Sequence, residues 1–253
     1  MTLLRRRLVA ASVLAPAVTL ATPAVGVTPR AKYPALAFDG FPIFDPRPVG
    51  AACEAAFPGK GAVLLAAWRT RQFEYQWLGT LMRRFEDFLQ TTEAALIYAA
   101  DSLELALDRA TREWLVDTYR HLPVWSDAPA AISRLSDAGV RLSMVSNMTS
   151  EMLETGLSRA GLRQHFDLLL STDDLRRHKP DRSVYEEGAK RLGLSTDRVL
   201  FVPFAAWDLA GASAAGHPTF WVNRLGMRNE ELGAMPTATG RALDELVRFA
   251  LAS

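Results

Sequence analysis

The chain has 253 residues, of which 49% are hydrophobic and 23% are charged, and its formal net charge is +1. These values are ordinary for a soluble globular protein with one large core, or a core and a small second domain, and they give no electrostatic case for nucleic-acid binding. Cys53 is the only cysteine, so the chain can form neither an intramolecular disulfide nor a cysteine-based metal site.

The first 26 residues differ in character from the rest of the chain. Three consecutive arginines at positions 5–7 precede an apolar run, and the first acidic residue is Asp39. This charge asymmetry is typical of an export signal, and the arginine cluster resembles a twin-arginine signal. The alternative is an uncleaved membrane anchor over residues 8–25, but two prolines interrupt that stretch. We therefore predict an export signal at residues 1–26, a periplasmic or secreted protein, and membrane contact only during export.

From residue 35 onward, short β-like runs alternate with helical stretches, which predicts an α/β fold with a parallel sheet covered by helices. The strand candidates are residues 35–38, 141–145, 166–170, 199–202 and 219–222. In open parallel sheets the ligand site lies at the carboxyl ends of the strands, so polar residues that follow the strands can converge there. The residues in such positions are Asp39, Ser146, Asn147, Lys179 and Asp208.

Residues 47–122, between the first two strand candidates, have helical patterning and no convincing strand. The segment WRTRQFEYQWLGTLMRRFEDFL places apolar and aromatic residues at three- and four-residue spacings, as an amphipathic helix does. Inserted after the first strand, this block would form a helical cap over the active edge of the sheet. Four of its side chains are expected to pack and not to bind a ligand: Trp68, Tyr75, Trp77 and Met82. The later segment AGASAAG predicts a close-packed helix instead of a nucleotide-binding loop.

Several motifs, taken in chain order, resemble the haloacid dehalogenase superfamily, and within it the L-2-haloacid dehalogenases. FDGFPIFD resembles the first motif, and WRTRQFEYQWLGTLM resembles the cap helix of the dehalogenase branch. VSNMTS, HKPDRSVYE, and AAWDLAGA followed by GHPTFWVNR resemble the remaining motifs. The resemblance implies a Rossmann-like core at residues 35–46 and 123–253 and a helical cap at residues 47–122. It also implies dimerisation through cap and core helices.

The same resemblance implies a reaction and its catalytic residues. Asp39 would displace the halide from C2 of a short (S)-2-haloacid, and water would hydrolyse the resulting ester to an (R)-2-hydroxy acid, with no metal or other cofactor. Two steps of this kind suit a weak nucleophile held in line with its target. Lys179 would be the cation beside Asp39, and Asp208 would orient Lys179 or the water. From the sequence alone, Asp208 can also be the N-cap of the helix that begins there, and the two roles are compatible.

Other residues are implied to surround the substrate. Arg69 would face its halogen and carboxylate end, Asn147 would be a second halide-side group, and Ser146 would hold the carboxylate. A leaving anion needs such a cation and amide donors. The aromatic residues that match the substrate's surroundings or the neighbourhood of the lysine are Phe73, Phe88, Trp207 and Tyr185.

Phe41, which we also assign to the substrate site, stands where phosphatases of the superfamily carry a second aspartate. That aspartate protonates a leaving oxygen, whereas chloride and bromide need no proton. Phe41 therefore favours a dehalogenase over a magnesium-dependent phosphatase, in which Asp39 and Asp208 would provide metal oxygens. A simple packing role for Phe41 is compatible with both.

The chain departs from the family pattern near the chemistry. The loop after Asp39 is one residue shorter, so that the expected threonine is deleted or replaced by Ile43, and FVPFAAWD has Pro203 and Ala205 in place of a serine and an asparagine. Losing these polar groups leaves buried charges with fewer partners, which affects ester hydrolysis more than ester formation. A catalytically impaired member that still binds small carboxylates is therefore the alternative.

Overall fold

The centre of the protein is a parallel β-sheet in the order β3-β2-β1-β4. The structure is a computed structural model that describes residues 31–252. The strands are β1 Ala35–Phe38, β2 Arg141–Ser146, β3 Phe166–Ser171 and β4 Val199–Val202. β1 pairs with both β2 and β4, so it lies inside the sheet, and Asp39 follows it directly. The predicted α/β fold with a parallel sheet is confirmed.

A second, smaller pair of strands extends this sheet at one edge. β5 Phe220–Val222 pairs in parallel with β6 Ala238–Gly240, and a single bridge between Phe201 and Thr219 joins β5 to β4. The predicted strand at residues 219–222 therefore exists, but it is one residue shorter. β6 was not predicted from the sequence, because its three residues, ATG, show no alternation of apolar and polar side chains.

Four of the five helices between β1 and β2 pack on one another: α1 Arg47–Ala56, α2 Gly61–Leu81, α3 Phe88–Ser102 and α4 Arg109–Arg120. Trp68 is completely buried among them, and its indole Nε1 donates to the Thr92 carbonyl at 2.8 Å. Tyr75 and Trp77 are partly buried and pack against other aromatic rings. The expectation that Met82 packs is wrong, because α2 ends at this residue and its side chain is 59% exposed.

The remaining helices cover the sheet: α5 Ala128–Asp137, α6 Ser150–Arg159, α7 Arg182–Arg191, α8 Ala206–Ala214 and α9 Leu243–Leu251. Short 3₁₀ turns occupy Arg163–His165, Thr172–Asp174 and Thr196–Arg198. α8 contains most of the AGASAAG segment, and a side chain at Gly211 would collide with Tyr185 and Pro180. The prediction of a close-packed helix is therefore confirmed.

The single cysteine and the amino-terminal segment are two further features of the chain. Cys53 is buried in the core, and this burial raises the pKa of its thiol to about 11, which makes it a packing residue. The export signal predicted for residues 1–26 lies outside the described residues. Within residues 31–252, no helix has the length and apolar character that crossing a membrane requires.

Candidate active site

Lys179 joins two carboxylates at the carboxyl end of the sheet. Its ammonium Nζ lies 2.8 Å from Asp39 Oδ1 and 2.8 Å from Asp208 Oδ2. Asp39 follows β1, Asp208 lies in the first turn of α8 after β4, and Lys179 comes from the loop after β3. The Lys179 side chain is fully buried, so both ion pairs are shielded from solvent.

Burial and mutual charge shift the ionisation of this group. Burial disfavours the ammonium of Lys179, but the charges of Asp208 and Asp39 outweigh that effect and raise the pKa of Lys179 above its usual value. Burial raises the pKa of Asp208 to about 6, against the opposing charge of Lys179. Burial also raises the pKa of Tyr185 well above 10, and the charge of Asp208 adds to this effect. Tyr185 therefore stays protonated, and its hydroxyl donates to Asp208 Oδ1 at 2.7 Å.

The loop after β1 holds Asp39 in place. The Phe41 amide donates to Asp39 Oδ2 at a long 3.3 Å, so this oxygen is bound more weakly than Oδ1. Gly40 lets the Met148 side chain pack closely here, since a Cβ at this position would collide with the Met148 sulfur and force that side chain to move. Ile43, in the shortened part of the loop, is fully buried and belongs to the core.

Trp125 and Arg224 brace the same loop from outside. Trp125 Nε1 donates to the Phe41 carbonyl at 2.9 Å, and Arg224 Nη2 donates to the Pro42 carbonyl at 2.9 Å. The Arg224 guanidinium also binds Asp127 through two nitrogens and lies over the Trp125 ring at 4.5 Å. These contacts hold the loop after Asp39 in place without the threonine that the sequence lacks.

A small, largely apolar cavity opens above Asp39. It is lined by Asp39, Phe41, Arg69, Phe73, Phe88, Ser146, Asn147, Met148, Phe204, Ala205 and Trp207. Arg69 enters from α2 of the cap, and its side chain forms no hydrogen bond or ion pair with any residue in the described part of the chain. A cation without a protein partner, facing apolar walls, is suited to binding an anion.

Asn147 links the cap to the core beside this cavity. Its Nδ2 donates to Gln76 Oε1 on α2 at 2.8 Å, and its Oδ1 accepts the Lys179 backbone amide at 2.9 Å. The second amide hydrogen is directed at the Lys179 carbonyl, 3.5 Å away. Asn147 therefore holds α2 and the Lys179 backbone in place, and its side chain also lines the cavity.

His178, next to Lys179, extends this link along the seam between cap and core. Its backbone amide donates to Thr80 Oγ1 at 2.9 Å, and its ring Nε2 lies 2.9 Å from the Glu86 carbonyl. Burial lowers the pKa of His178 to about 4, so the imidazole is neutral near pH 7. Because a carbonyl can only accept, Nε2 carries the ring proton.

The predicted site residues fall into two groups. The residues in direct contact with the cavity are Asp39, Phe41, Arg69, Phe73, Phe88, Ser146, Asn147 and Trp207. Lys179, Tyr185 and Asp208 lie behind Asp39, so Tyr185 supports Asp208 and does not face the cavity. The N-cap interpretation of Asp208 is wrong, because Ala205 is the N-cap of α8 and has no side-chain oxygen.

Several residues that shape the site were not predicted from the sequence. Met148 and Phe204 line the cavity, Gln76 holds Asn147, and Trp125 and Arg224 contact the loop after Asp39. Arg224 is the last residue of the motif GHPTFWVNR, and this position could have identified it as a site residue. The helical spacing of Gln76 from Arg69 was the available signal for Gln76.

The site has few candidates for metal ligands. No group of three or more His, Cys, Asp or Glu side chains that could hold a metal ion occurs among residues 31–252. The space between the Asp39 and Asp208 carboxylates is filled by the ammonium of Lys179. A divalent cation bound by both carboxylates would have to displace that ammonium.

Comparison with known proteins agrees with this geometry. The family model of haloacid dehalogenase-like hydrolases matches residues 12–216. An (S)-2-haloacid dehalogenase from Pseudomonas sp. strain YL is 42% identical over 202 residues, covering 79% of this chain and 87% of that enzyme. These values lie well within the range in which common family membership is secure.

Two solved structures are also similar to this chain. The L-2-haloacid dehalogenase RSc1362 has a TM-score of 0.84 and 33% identity, with 87% of this chain and 99% of that chain covered. The L-2-haloacid dehalogenase from Xanthobacter autotrophicus, with chloropropionic acid covalently bound, has a TM-score of 0.79 and 30% identity, with the same coverage. This chain therefore belongs to the haloacid dehalogenase-like hydrolases.

Proposed function

We propose that this protein is an (S)-2-haloacid dehalogenase, a hydrolase that replaces the halogen at C2 of a short 2-haloacid with a hydroxyl group. The observation that carries the proposal is the position of Lys179 Nζ, 2.8 Å from both Asp39 and Asp208, below a cavity lined by Arg69. Arg69 has no ion-pair partner among residues 31–252. The similar enzyme from Pseudomonas sp. strain YL, an (S)-2-haloacid dehalogenase, supports it. The covalently bound chloropropionic acid in the Xanthobacter enzyme supports an ester intermediate.

In the first step, Asp39 acts as the nucleophile. Lys179 holds Oδ1, whereas Oδ2 accepts only the long Phe41 bond within the described residues, so Oδ2 has the freer lone pairs. As the Oδ2–C2 bond forms, the carbon–halogen bond breaks, and the halide leaves with the bonding electrons. A single in-line displacement inverts the configuration at C2. The guanidinium of Arg69 stabilises the departing anion.

The cavity walls position the substrate for this attack. Ser146 Oγ accepts the Met148 amide at 3.2 Å, so its hydroxyl hydrogen is available to the substrate carboxylate. Phe73, Phe88 and Trp207 surround the alkyl side chain. These rings exclude water from the nucleophile, which strengthens the electrostatic interactions within the cavity.

In the second step, water adds to the carbonyl carbon of the Asp39 ester, and Asp208 receives the water proton. The acyl–oxygen bond then breaks as Asp208 passes this proton to the leaving alkoxide oxygen. The second proton of the water goes to solvent, so the 2-hydroxy acid is released and both carboxylates are restored. Because water attacks Asp39 and not C2, the inverted configuration is retained and the product is the (R)-2-hydroxy acid. The reaction requires no metal ion, since Lys179 supplies the positive charge beside both carboxylates.

Ala205 supports a second candidate function. It lines the cavity, and it offers no polar side chain to hold the hydrolytic water. Pro203 likewise has no side-chain donor, and its carbonyl accepts the Val222 amide at 3.1 Å. In this alternative, the protein is a catalytically impaired family member that binds small carboxylates, or one in which the ester forms and stalls.

A magnesium-dependent phosphatase is less well supported. Phe41 offers no acid to protonate a leaving oxygen, and Lys179 occupies the space between the two carboxylates. Dehalogenation that proceeds unchanged in the presence of a chelator would support the metal-free reaction. Phosphate-ester hydrolysis that depends on added magnesium would support the phosphatase.

The deciding experiment measures halide release from each enantiomer of 2-chloropropionate, with chelator present and Asp39→Asn as the matched control. We expect sustained release from the S enantiomer alone and release at background in the control, because an amide is a far weaker nucleophile. Intact-mass measurement during turnover identifies the ester. One equivalent of halide with a persistent adduct would identify the stalled enzyme, and no release with carboxylate-dependent thermal stabilisation would identify the binding protein.

A further inference from the structure

A second cavity lies on the seam between cap and core; we name it the seam cavity. Its cap wall is formed by Thr80, Arg83 and Phe85, at the end of α2 and in the loop that follows. Its core wall is formed by Arg176, Arg177 and Asp181, in the segment around Lys179. No described residue lines both this cavity and the active-site cavity, so the two are separate.

The seam cavity has an excess of positive charge. Among the residues that line it, three are arginines and one is an aspartate. The Asp181 carboxylate is already bound by the Ser183 amide at 2.9 Å and the Ser183 hydroxyl at 2.6 Å, and its distance to Arg177 is 3.9 Å. Arg83 and Arg176 form no ion pair with any residue between 31 and 252. Their charge is therefore available to a ligand.

Phe85 connects the two walls of the seam cavity. The guanidinium carbon of Arg176 lies 5.3 Å from the centre of the Phe85 ring. The same ring stacks on the His178 imidazole, with 4.8 Å between ring centres. The ring therefore restricts the Arg176 side chain through a cation–π contact. It also contacts His178, the residue directly before Lys179 in the chain.

Arg83 occupies a backbone conformation that favours glycine. Its φ is 56°, directly after the end of α2, and the amides of Arg83 and Arg84 donate to the carbonyls of Thr80 and Gly79. Glycine is the usual residue in this helix-ending motif, because it adopts the left-handed conformation without a steric penalty. Arg176 has the same feature, with a φ of 51°. At both positions arginine adopts the left-handed conformation less easily than glycine would, but it brings a guanidinium group to the seam cavity.

We propose that the seam cavity binds a multivalent phosphate-class oxyanion through Arg83, Arg176 and Arg177. The planar guanidinium matches pairs of phosphate oxygens, and several of them together favour a multivalent anion over a monovalent carboxylate or halide. Because Arg83 belongs to the cap and the other two arginines to the core, the bound anion links the two parts. Inorganic phosphate and phosphate monoesters share this chemistry.

The test uses a substitution that removes the side chain without straining the backbone. Arg83→Gly is compared with Glu104→Gly, since Glu104 has a φ of 53° after α3 and does not line the seam cavity. In chloride buffer, both variants are expected to melt at or above the temperature of the parent protein. Inorganic phosphate at equal ionic strength is expected to raise the melting temperature of the parent and of Glu104→Gly, but not that of Arg83→Gly.

Isothermal titration then measures affinity and separates the two phosphate sources. We expect inorganic phosphate or ribose 5-phosphate to bind, with a dissociation constant raised about tenfold or more by Arg83→Gly and by Arg176→Gly, because each loses a charge-assisted contact. Tighter binding of the ester would identify a monoester site, and tighter binding of phosphate would identify a free-phosphate site. Equal phosphate stabilisation of parent and Arg83→Gly, or the absence of any stabilisation of the parent, would overturn the proposal.

Discussion

The ammonium of Lys179 is shared by two carboxylates, which leaves one negative charge uncompensated when both are ionised. Asp208 is the less exposed of the two, at 1% against 8% for Asp39, and burial raises the pKa of Asp208 to about 6. The hydroxyl of Tyr185 and the ammonium of Lys179 support its charged form, but they do not cancel the desolvation. The charge of Asp208 is therefore expected to change in the mildly acidic range.

This ionisation predicts how the rate depends on pH. If ionised Asp208 accepts the proton during ester hydrolysis, steady-state halide release should fall as the pH is lowered through about 6. We expect the burst of ester formation to be less affected, since Asp39 performs that step. Stopped-flow and steady-state measurements from pH 5 to 8 separate the two steps. Full steady-state turnover at pH 5 would contradict the role assigned to Asp208.

The raised pKa of Asp208 also predicts how the unfolding free energy depends on pH. The pKa of Asp208 is higher in the folded protein than its ordinary value of 3.8, so folding favours the protonated form. The stabilising contribution of Asp208 is therefore fully present below about pH 4 and is lost as the pH rises through about 6. Relative to Asp208→Asn, the parent should lose unfolding free energy between pH 4 and 6, as measured by urea denaturation. A parallel pH dependence in the two proteins would contradict the shift.

At the scale of elements, helix α2 connects the cap to the catalytic residues. Arg69, Phe73, Gln76 and Thr80 follow one another at three- and four-residue spacings, so they share one face of the helix. On that face, Arg69 and Phe73 line the cavity. Gln76 then binds Asn147, and Thr80 binds the backbone amide of His178. The helical spacing predicted the helix itself, but it could not show that this partly polar stripe faces the core.

Thr80 provides a test of the seam between cap and core. Its hydroxyl donates to the Gln76 carbonyl at 2.9 Å and accepts the His178 amide at 2.9 Å. Thr80→Val would leave the amide of the buried His178 without a partner, which should lower the unfolding free energy by about 1–3 kcal/mol.

The matched control for Thr80 is Thr118→Val on α4. Thr118 makes the same bond to a carbonyl four residues back, at 2.9 Å, but this bond is exposed to solvent, and the Thr118 hydroxyl accepts no hydrogen bond from any residue between 31 and 252. Its substitution should change the unfolding free energy by no more than about 0.5 kcal/mol. Urea denaturation of both variants gives the comparison, and equal losses would mean that the Thr80–His178 bond contributes nothing to the seam.

At the scale of the whole molecule, the sequence best predicts the elements that depend on a local pattern of apolar and polar residues. The four strands of the main sheet were predicted to within a residue or two, because each is a short apolar run beside polar residues. The strand-end rule also placed Asp39, Lys179 and Asp208 at one edge. Contacts that form only when the chain folds could not be predicted. One example is the hydrogen bond from Arg224 to the Pro42 carbonyl, in the loop after Asp39.

The amino-terminal segment supplies the last prediction, which concerns where the protein acts. The sheet, the cap and both cavities are all built from residues 31–252, so a chain that starts at Val27 should retain the melting temperature and halide-release rate of the full-length protein. We predict that residues 1–26 direct export, since three arginines precede an apolar run with no acidic residue.

Replacing Arg5 and Arg6 together by lysine separates charge from recognition in this segment. Lysine keeps the positive charge but not the guanidinium, so a twin-arginine receptor should fail to export this variant, whereas an ordinary secretory signal should tolerate it. Arg30→Lys is the matched control, because it makes the same change beyond the predicted signal. Cell fractionation in a bacterial host gives the result. Retention of the parent protein in the cytoplasm would contradict export, and undiminished export of the double variant would contradict the twin-arginine route.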